Sequence, residues 1–169
     1  MIRRIRAIGG RIWRALAART WSSDLVYTIR RYRQTFGRWP NLLRPKTFNE
    51  WINHKKLFDR NPLLTLLADK YQVREYVRER VGEEILTRLY LVTEDPEEID
   101  FARLPDRFVI KTTHGSTWNI LVPNKQEVDE RAVKDQCAEW LRQNYYTMGR
   151  EWAYKNIKPR IIVEEFLGD

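Results

Sequence analysis

The sequence is poor in cysteine and histidine, and it lacks long apolar runs. Its 169 residues contain one cysteine, Cys137, and two histidines. A single cysteine cannot form an internal disulfide, and so few of these residues leave no Cys/His cluster with zinc-ligand spacing. Charged residues interrupt every apolar segment well short of the ~20 apolar residues that a membrane-spanning helix needs. These absences exclude a disulfide scaffold and a transmembrane helix, and they favour a reducing compartment.

Several catalytic signatures are also missing. The chain contains neither the P-loop pattern nor a G-x-G-x-x-G stretch, the usual glycine-rich signatures of phosphate binding. His114 stands beside a glycine with no serine and carboxylate partners nearby in sequence, so we expect a surface or hydrogen-bonding residue rather than a base. His54 is expected to be structural, and Cys137, on the apolar face of a predicted helix, is expected to be a small core residue.

Positive charge is in excess, but it is confined to the N-terminal part. The net charge is +8; residues 1–48 carry twelve Lys and Arg and one acid, whereas residues 49–169 carry 19 bases and 22 acids. The opening stretch places apolar side chains at roughly helical spacing among six arginines, which predicts an amphipathic helix. The apolar side chains are those of Ile2, Ile5, Ile12, Trp13 and Leu16.

Two roles are open for this leader. Arginine-rich amphipathic helices bind anionic lipid headgroups, so residues 1–20 are a candidate for docking at the inner face of a membrane. The structural alternative is a helix whose apolar stripe packs on its own domain. No uninterrupted apolar core follows the arginines, which argues against a secretory signal peptide, whereas the composition does not exclude an organelle transit peptide.

The local pattern changes from helical to mixed after Gly82. Residues 47–82 carry helical patterns, with Thr47 or Asn49 as the first cap and Gly82 as the final stop. The fold class predicted is α+β, with a helical N-terminal part followed by a strand, a hairpin, a helix and a last strand. The strands are predicted at 85–94, 108–113, 119–122 and 159–167, and the helix at 126–146.

The hairpin segment FVIKTTHGSTWNILV, residues 108–122, is the first candidate for chemistry. Lys111 ends an apolar run, and Gly115 lies in the polar turn, where it can take a positive φ and let an anion approach the backbone N–H groups. A lysine beside such a turn can hold phosphate oxygens through charge-assisted hydrogen bonds. The structural alternative is an ordinary hairpin with one lysine. Further donors are available from Thr112, Thr113, Ser116 and Asn119.

Two other pairs of charged residues are candidates. Glu164 and Glu165 follow an apolar run, and alternation along a strand sends them to opposite faces, so only one can face a site. A carboxylate at a strand end can accept a hydrogen bond from a purine amino group or a ribose hydroxyl. Lys70 and Arg74 are four residues apart, hence on one helical face, and are either a phosphate-binding pair or an exposed basic stripe.

Three stretches in the same order resemble the TupA-like ATP-grasp family, named for teichuronopeptide biosynthesis and often found in polysaccharide and capsule clusters. They are PKTFNEWINHKKLFDRNPLLTLLADKYQVREYV, LPDRFVIKTTHGSTWNILV and NYYTMGREWAYKNIKPRIIVEEFL, and they lie between Pro45 and Leu167. The resemblance implies an ATP-dependent ligase, of carboxylate–amine or carboxylate–thiol type, in which ATP phosphorylates a carboxylate and a nucleophile displaces phosphate. It also implies a leader at 1–44 and an N-terminal ATP-grasp portion at 45–169, with its nucleotide-binding α+β subdomain at 85–169.

The resemblance implies which residues hold the phosphates of ATP. Lys111 corresponds to the strand lysine that contacts them, and Gly115 and Ser116 correspond to the flexible loop that folds over them. An earlier basic position of the family corresponds to either Lys70 or Arg74, and the choice between them stays open.

The adenosine end of the nucleotide is implied in the same way. Glu164 corresponds to the strand-end carboxylate that takes the adenine amino group, and the backbone near Leu167 to the contact with the ring edge. Asp169 corresponds to a position near the ribose. Lys111 and Glu164 are therefore expected to converge and hold opposite ends of a purine triphosphate.

The resemblance also raises an expectation about magnesium. The acidic and asparagine residues that hold Mg²⁺ in this family normally lie beyond the point where the chain stops, at Asp169. The metal neutralises charge that develops on the transferred phosphoryl group, so the chain as given is expected to be half a site with weak or undetectable ATP turnover. A truncated gene product and one part of a split protein, with a separate C-terminal half as partner, both fit this expectation.

Two other functions compete with this one. In the first, the basic leader docks on anionic membrane or nucleic acid and the remainder is a non-enzymatic scaffold, although no specific nucleic acid is expected. In the second, the protein is one of those named glycosyltransferases because their genes lie among polysaccharide enzymes, a label that no residue here supports directly. The location expected is cytoplasmic, with peripheral attachment at the inner face of the membrane if the leader docks there.

Overall fold

The computed structural model describes residues 24–168. The predicted amphipathic leader, residues 1–20, and the predicted ribose contact, Asp169, lie outside the described residues. The described residues fall into two compact units, which divide between Asp59 and Arg60. The boundary predicted between the leader at 1–44 and the ATP-grasp portion at 45–169 differs from this division and stays a prediction.

Two helices form the described part of the first unit, α1 (Asp24–Phe36) and α2 (Phe48–Phe58). Of the two predicted caps, Thr47 and Asn49, it is Thr47 that caps α2. Its side chain accepts a hydrogen bond from the Glu50 N–H, and the Glu50 carboxylate accepts one from the Thr47 N–H in return. This reciprocal pair satisfies two donors at the helix start and fixes where α2 begins.

The Glu50 carboxylate also holds the loop that precedes α2. Glu50 is 2% exposed, and it accepts hydrogen bonds from the backbone N–H groups of Lys46 at 2.9 Å and Asn41 at 3.2 Å. Arg38 forms an ion pair with it at 3.0 Å. The hydrogen bonds from the backbone, that of Lys46 first, lower the pKa of Glu50 to about 2. The loop and the start of α2 are therefore tied to one buried charge.

The second unit begins with α3 (Pro62–Ala68) and α4 (Gln72–Arg80). Between them, the Asp69 carboxylate accepts hydrogen bonds from the N–H groups of Tyr71 and Gln72, which ends one helix and starts the next. Lys70 lies in this break, so the prediction that it shares a helical face with Arg74 is wrong.

The strands and the remaining helices follow in the predicted order. Gly82, with φ of 120°, lies just after α4, which confirms it as the stop signal. None of the helices within residues 24–168 is long and apolar enough to cross a membrane. The remaining elements are β1 (Leu89–Thr93), β2 (Phe108–Thr112), β3 (Asn119–Val122), α5 (Glu130–Leu141), α6 (Tyr146–Gly149) and β4 (Ile161–Glu165).

The four strands form one antiparallel sheet in the order β1-β4-β2-β3. Its core face packs against α5, where Cys137 is fully buried as the sequence predicts. Burial raises the pKa of the Cys137 thiol to about 11, as expected for a small core residue. The core residues contributed by the strands are Phe108, Ile110, Val122, Ile161 and Val163. The α+β prediction is confirmed.

Candidate functional site

Lys111 and Glu164 lie on the same face of the sheet and form an ion pair. β2 and β4 are neighbours, in which Val109 pairs with Glu164 and Lys111 pairs with Ile162. Because paired residues of antiparallel strands point to one face, Lys111 and Glu164 project together from the face opposite the core. The Lys111 Nζ lies 2.8 Å from the Glu164 Oε2. Glu165 is exposed, as alternation along the strand predicts.

Arg74 reaches the same carboxylate from α4. Its Nη1 lies 2.6 Å from the Glu164 Oε1, and the two side chains are 11% and 7% exposed. The Thr87 hydroxyl donates to the same Glu164 oxygen at 3.2 Å, while Arg74 donates to the Thr87 carbonyl. Both oxygens of a nearly buried carboxylate are therefore engaged, one by each of two cations.

Lys70 reaches the neighbouring loop from the break between α3 and α4. Its Nζ donates to the carbonyl of Thr112 at 3.0 Å and to the carbonyl of Gly115. Burial lowers the pKa of Lys70, and the positive charge of Lys111 lowers it further. A nearby anion would favour the charged form of Lys70.

The structure thus assembles four of the predicted site residues. We call Lys70, Arg74, Lys111 and Glu164 the cationic cluster. The sequence left open whether Lys70 or Arg74 belongs to the site. Arg74 shares the Glu164 carboxylate with Lys111, and Lys70 donates to the carbonyl of Thr112, the residue after Lys111. The arrangement differs from the expected one in spacing, because Lys111 and Glu164 touch directly and leave no room for a nucleotide between them.

The turn after β2 is anchored at its base. The Thr113 N–H donates to the carbonyl of Arg160 at 2.9 Å, and the Thr113 hydroxyl donates to the carbonyl of Lys158 at 2.9 Å. Residues 112–115 are buried, whereas Ser116 is half-buried and Thr117 is exposed. Only the tip of the predicted phosphate loop is thus open to solvent.

Gly115 is required in this turn by a close approach rather than by its φ. A Cβ at Gly115 would lie 2.3 Å from the Trp118 ring, so a larger residue has no space. The prediction that Gly115 supplies a positive φ is wrong, because the residue with positive φ in this turn is Thr117, at 65°. A left-handed conformation is uncommon for a residue other than glycine.

His114 is a buried residue of the same turn. It is 2% exposed, and its Nε2 lies 3.1 Å from the Trp140 carbonyl. Its ring meets Trp118 edge to face with centroids 5.4 Å apart, and Trp118 stacks on Trp140 at 6.4 Å. Burial lowers the pKa of His114. The expectation of a hydrogen-bonding residue is confirmed, but the surface position is wrong because the aromatic side chains enclose the ring.

The adenosine-side candidates lie at the end of β4. Leu167 is 72% exposed, so its side chain packs on little. Arg107 holds this segment instead: its Nη2 donates to the Gly168 carbonyl at 2.8 Å, and its guanidinium lies 4.7 Å from the Phe166 ring centroid. Arg107 thus holds the backbone on either side of Leu167, while the Leu167 side chain itself is exposed.

Three residues of the site were not identified from the sequence. Thr87 donates to Glu164, Trp118 covers Gly115, and Asp69 shapes the break that carries Lys70. Asp69 is 1% exposed, and its Oδ2 has no hydrogen-bond partner within residues 24–168. The ADK triplet, an acid directly before a base in a helix break, is the signal that could have found it.

The donor set fits one of the two groups that the family resemblance implies. Two cations on one carboxylate, with a third at the adjoining turn, suit a polyanion such as the triphosphate of ATP. Within residues 24–168, no group of three or more His, Cys, Asp or Glu side chains could hold a metal ion. The described residues therefore do not fit Mg²⁺.

A surface groove of about 450 Å³ adjoins the cluster. Arg74 lines it together with Tyr71, Tyr76 and Leu89, whereas Lys111 and Glu164 do not. The groove and the cluster thus share one residue, and the chemistry of the site rests on its charges rather than on an enclosed cavity.

Comparison with known proteins gives one assignment. A family model described as TupA-like ATPgrasp matches residues 50–168, which is more than half of the chain and includes the whole cationic cluster. Searches of curated proteins and of solved structures gave no significant match. On the extent of the family match, the chain belongs to the TupA-like ATP-grasp family.

Proposed function

We propose that the cationic cluster binds the phosphates of ATP, and that the chain is the ATP-binding part of an ATP-grasp ligase-like protein. The observation that carries this proposal is that Arg74 and Lys111 pair with a single carboxylate, that of Glu164, while Lys70 contacts the adjoining turn at the carbonyls of Thr112 and Gly115. The cluster has two positive charges in excess of its own glutamate, counted from these three cations. An anionic ligand balances that excess.

The state of Lys70 supports a phosphate ligand in particular. Its side chain is half-buried and feels the positive charge of Lys111, both of which lower its pKa, so a polyanion beside it stabilises the charged form. Hydrogen bonds between ammonium and phosphate contribute about 1.5–3 kcal/mol each. Lys70 already contacts Gly115, so the same group is close to the turn whose tip carries Ser116.

The position of Glu164 determines the orientation of the nucleotide in this proposal. Because Lys111 contacts Glu164 at 2.8 Å, the two side chains meet neighbouring parts of the ligand rather than its opposite ends. The Glu164 Oε1 already accepts from Arg74 and Thr87, whereas the Oε2 accepts from Lys111 and keeps a lone pair for a donor such as the adenine amino group. The adenine then lies toward Leu167, with the triphosphate running from Lys111 toward Lys70 and Ser116.

The reaction and pathway rest on the family alone. A carboxylate–amine type ligation in cell-envelope polysaccharide or capsule biosynthesis, on the cytoplasmic side where ATP is present, is the role that the resemblance favours. No described residue favours sugar-nucleotide chemistry, so the glycosyltransferase label adds no second candidate. The membrane role proposed for residues 1–20 concerns residues outside the described part of the chain.

Nucleotide titration of the full chain tests the proposal. We expect ATP binding by calorimetry to weaken by about tenfold or more in Lys111→Met, since one charge-assisted hydrogen bond is lost while the side chain keeps its length. Lys134→Met is a matched control, because Lys134 also pairs with a glutamate, Glu97, at 3.3 Å. Equal ATP affinities of wild type and Lys111→Met, in proteins with equal melting temperatures, would refute the assignment.

A further inference from the structure

Helix α2 presents apolar side chains to solvent on one face. Phe48 is 76%, Trp51 is 53% and Ile52 is 39% exposed, at spacings of three and four residues that put them side by side. Leu43, in the loop before the helix, is 81% exposed. We call these four residues the exposed apolar face. Large exposed apolar side chains grouped on one helix face are unusual on a soluble surface and mark an interaction site.

The orientation of α2 is fixed from its other side. Glu50 and Leu57 are buried on the inner face, and the His54 Nδ1 lies 2.7 Å from the carbonyl of Leu42. Rotating the helix to hide the apolar side chains would break the hydrogen bonds of Glu50 to the preceding loop. The exposed apolar face is therefore built into the first unit and is not a chance outcome of loose packing.

The charge around this face is strongly positive. Residues 24–59 carry eight Lys and Arg against three acids, one of which, Glu50, is buried. Arg44, Lys46 and Lys55 are exposed on either side of the apolar residues in sequence. Apolar side chains flanked by exposed cations have the chemistry of a surface that enters the headgroup region of an anionic membrane.

We propose that the exposed apolar face docks on anionic lipid bilayers, with its aromatic and aliphatic side chains in the interface and its cations against the headgroups. Leu43 and Ile52 favour a lipid bilayer over a nucleic acid or an acidic polysaccharide. Aliphatic side chains enter the acyl boundary of a bilayer, but they form no favourable contact with a base, a phosphate backbone or an acidic sugar. This surface is distinct from residues 1–20 and does not depend on the proposed nucleotide site.

Vesicle co-sedimentation of the full chain tests this docking. We expect binding to vesicles of phosphatidylcholine mixed with phosphatidylglycerol, weaker binding to phosphatidylcholine alone, and a loss of about tenfold in partitioning for Phe48→Ser combined with Trp51→Ser. Both side chains are largely exposed, so the double variant is expected to melt at the wild-type temperature. A control pair, Val81→Ser with Ile85→Ser, removes apolar residues that are 60% and 58% exposed in the second unit.

Three results would overturn the proposal. The first is unchanged partitioning of the Phe48/Trp51 variant, which would assign any vesicle binding to other parts of the chain. The second is an equal loss in the Val81/Ile85 control. The third is binding to a DNA duplex or an acidic polysaccharide without binding to the anionic vesicles. ATP affinity is measured in the same variants and is expected to stay unchanged, so failure of one proposal is separable from failure of the other.

Discussion

The Lys111 ammonium lies 2.8 Å from the Glu164 carboxylate across two adjacent strands, and the Arg74 guanidinium holds the other oxygen of that carboxylate at 2.6 Å. A carboxylate with 7% of its side chain exposed is thus the hub of two ion pairs. Such a hub stabilises the fold only while every partner is present, because an unmatched charge left behind in a buried position is costly.

Replacing this carboxylate is expected to destabilise the protein strongly. Glu164→Gln leaves Arg74 largely buried without its counter-charge, and we expect the free energy of unfolding to fall by about 3 kcal/mol. Urea denaturation followed by circular dichroism measures the change. Glu165→Gln, next in the strand but exposed, is the control and should alter stability by less than about 0.5 kcal/mol. Similar effects of the two substitutions would contradict a buried hub.

The contact between Gly115 and Trp118 gives a second prediction. In Gly115→Ala, the new methyl group overlaps a ring that is already stacked on Trp140, so we expect a loss of about 1–3 kcal/mol in thermal or urea unfolding. Gly149→Ala is the matched control, because its Cβ would meet only the flexible Glu151 side chain, at 3.3 Å. If Gly115→Ala is as stable as Gly149→Ala, the turn can move away from Trp118 and is not held as described.

Burial of His114 predicts a dependence of stability on pH. Its pKa is lowered from the ordinary 6.5, so as the pH falls below 6.5 the unfolded chain takes up a proton that the native chain does not. The free energy of unfolding is therefore highest above pH 6.5 and falls below it, by at most about 1.4 kcal/mol per pH unit. Urea denaturation on both sides of pH 6.5 measures this slope. The slope should disappear in His114→Gln and persist in His54→Gln.

Glu50 predicts a second pH dependence, at more acidic values. Its pKa of about 2 lies below the ordinary 4.5, so its contribution is fully present above pH 4.5 and is lost as the pH falls from 4.5 towards 2. Acid titration of unfolding, monitored by tryptophan fluorescence, should show a shallower loss in Glu50→Gln than in wild type. Glu79→Gln replaces an exposed glutamate and should leave the acid limb unchanged. An unaltered limb in Glu50→Gln would mean that the loop before α2 does not depend on this carboxylate.

Features set by neighbouring residues could be predicted from the sequence. Alternation along β4 is enough to separate Glu164 from Glu165, and the capping box at Thr47 depends only on Glu50, three residues away. The order of strands and helices also follows from local periodicity and turn residues. These signals act over short stretches of chain, so no tertiary information is needed.

Contacts between distant residues could not be predicted in the same way. Arg74 and Glu164 are 90 positions apart, and Lys70 reaches Gly115 across 45 positions. The helix pattern around Lys70 was misleading because the Asp69 side chain competes with the backbone of that helix for hydrogen bonds. The positive φ of Thr117 could not be predicted either, because threonine rarely adopts it.

The place of β4 in the sheet has a consequence for biosynthesis. Of the four strands, β4 is synthesised last, yet it lies between β1 and β2 in the sheet. The two flanking strands therefore leave the ribosome before the strand that joins them. The β2–β3 hairpin can form early, but β1 has no strand to pair with until its partner β4, residues 161–165, has emerged from the ribosome. Such delayed, non-local pairing is slow and leaves the nascent chain open to aggregation, which makes this interval the one in which chaperones would matter most.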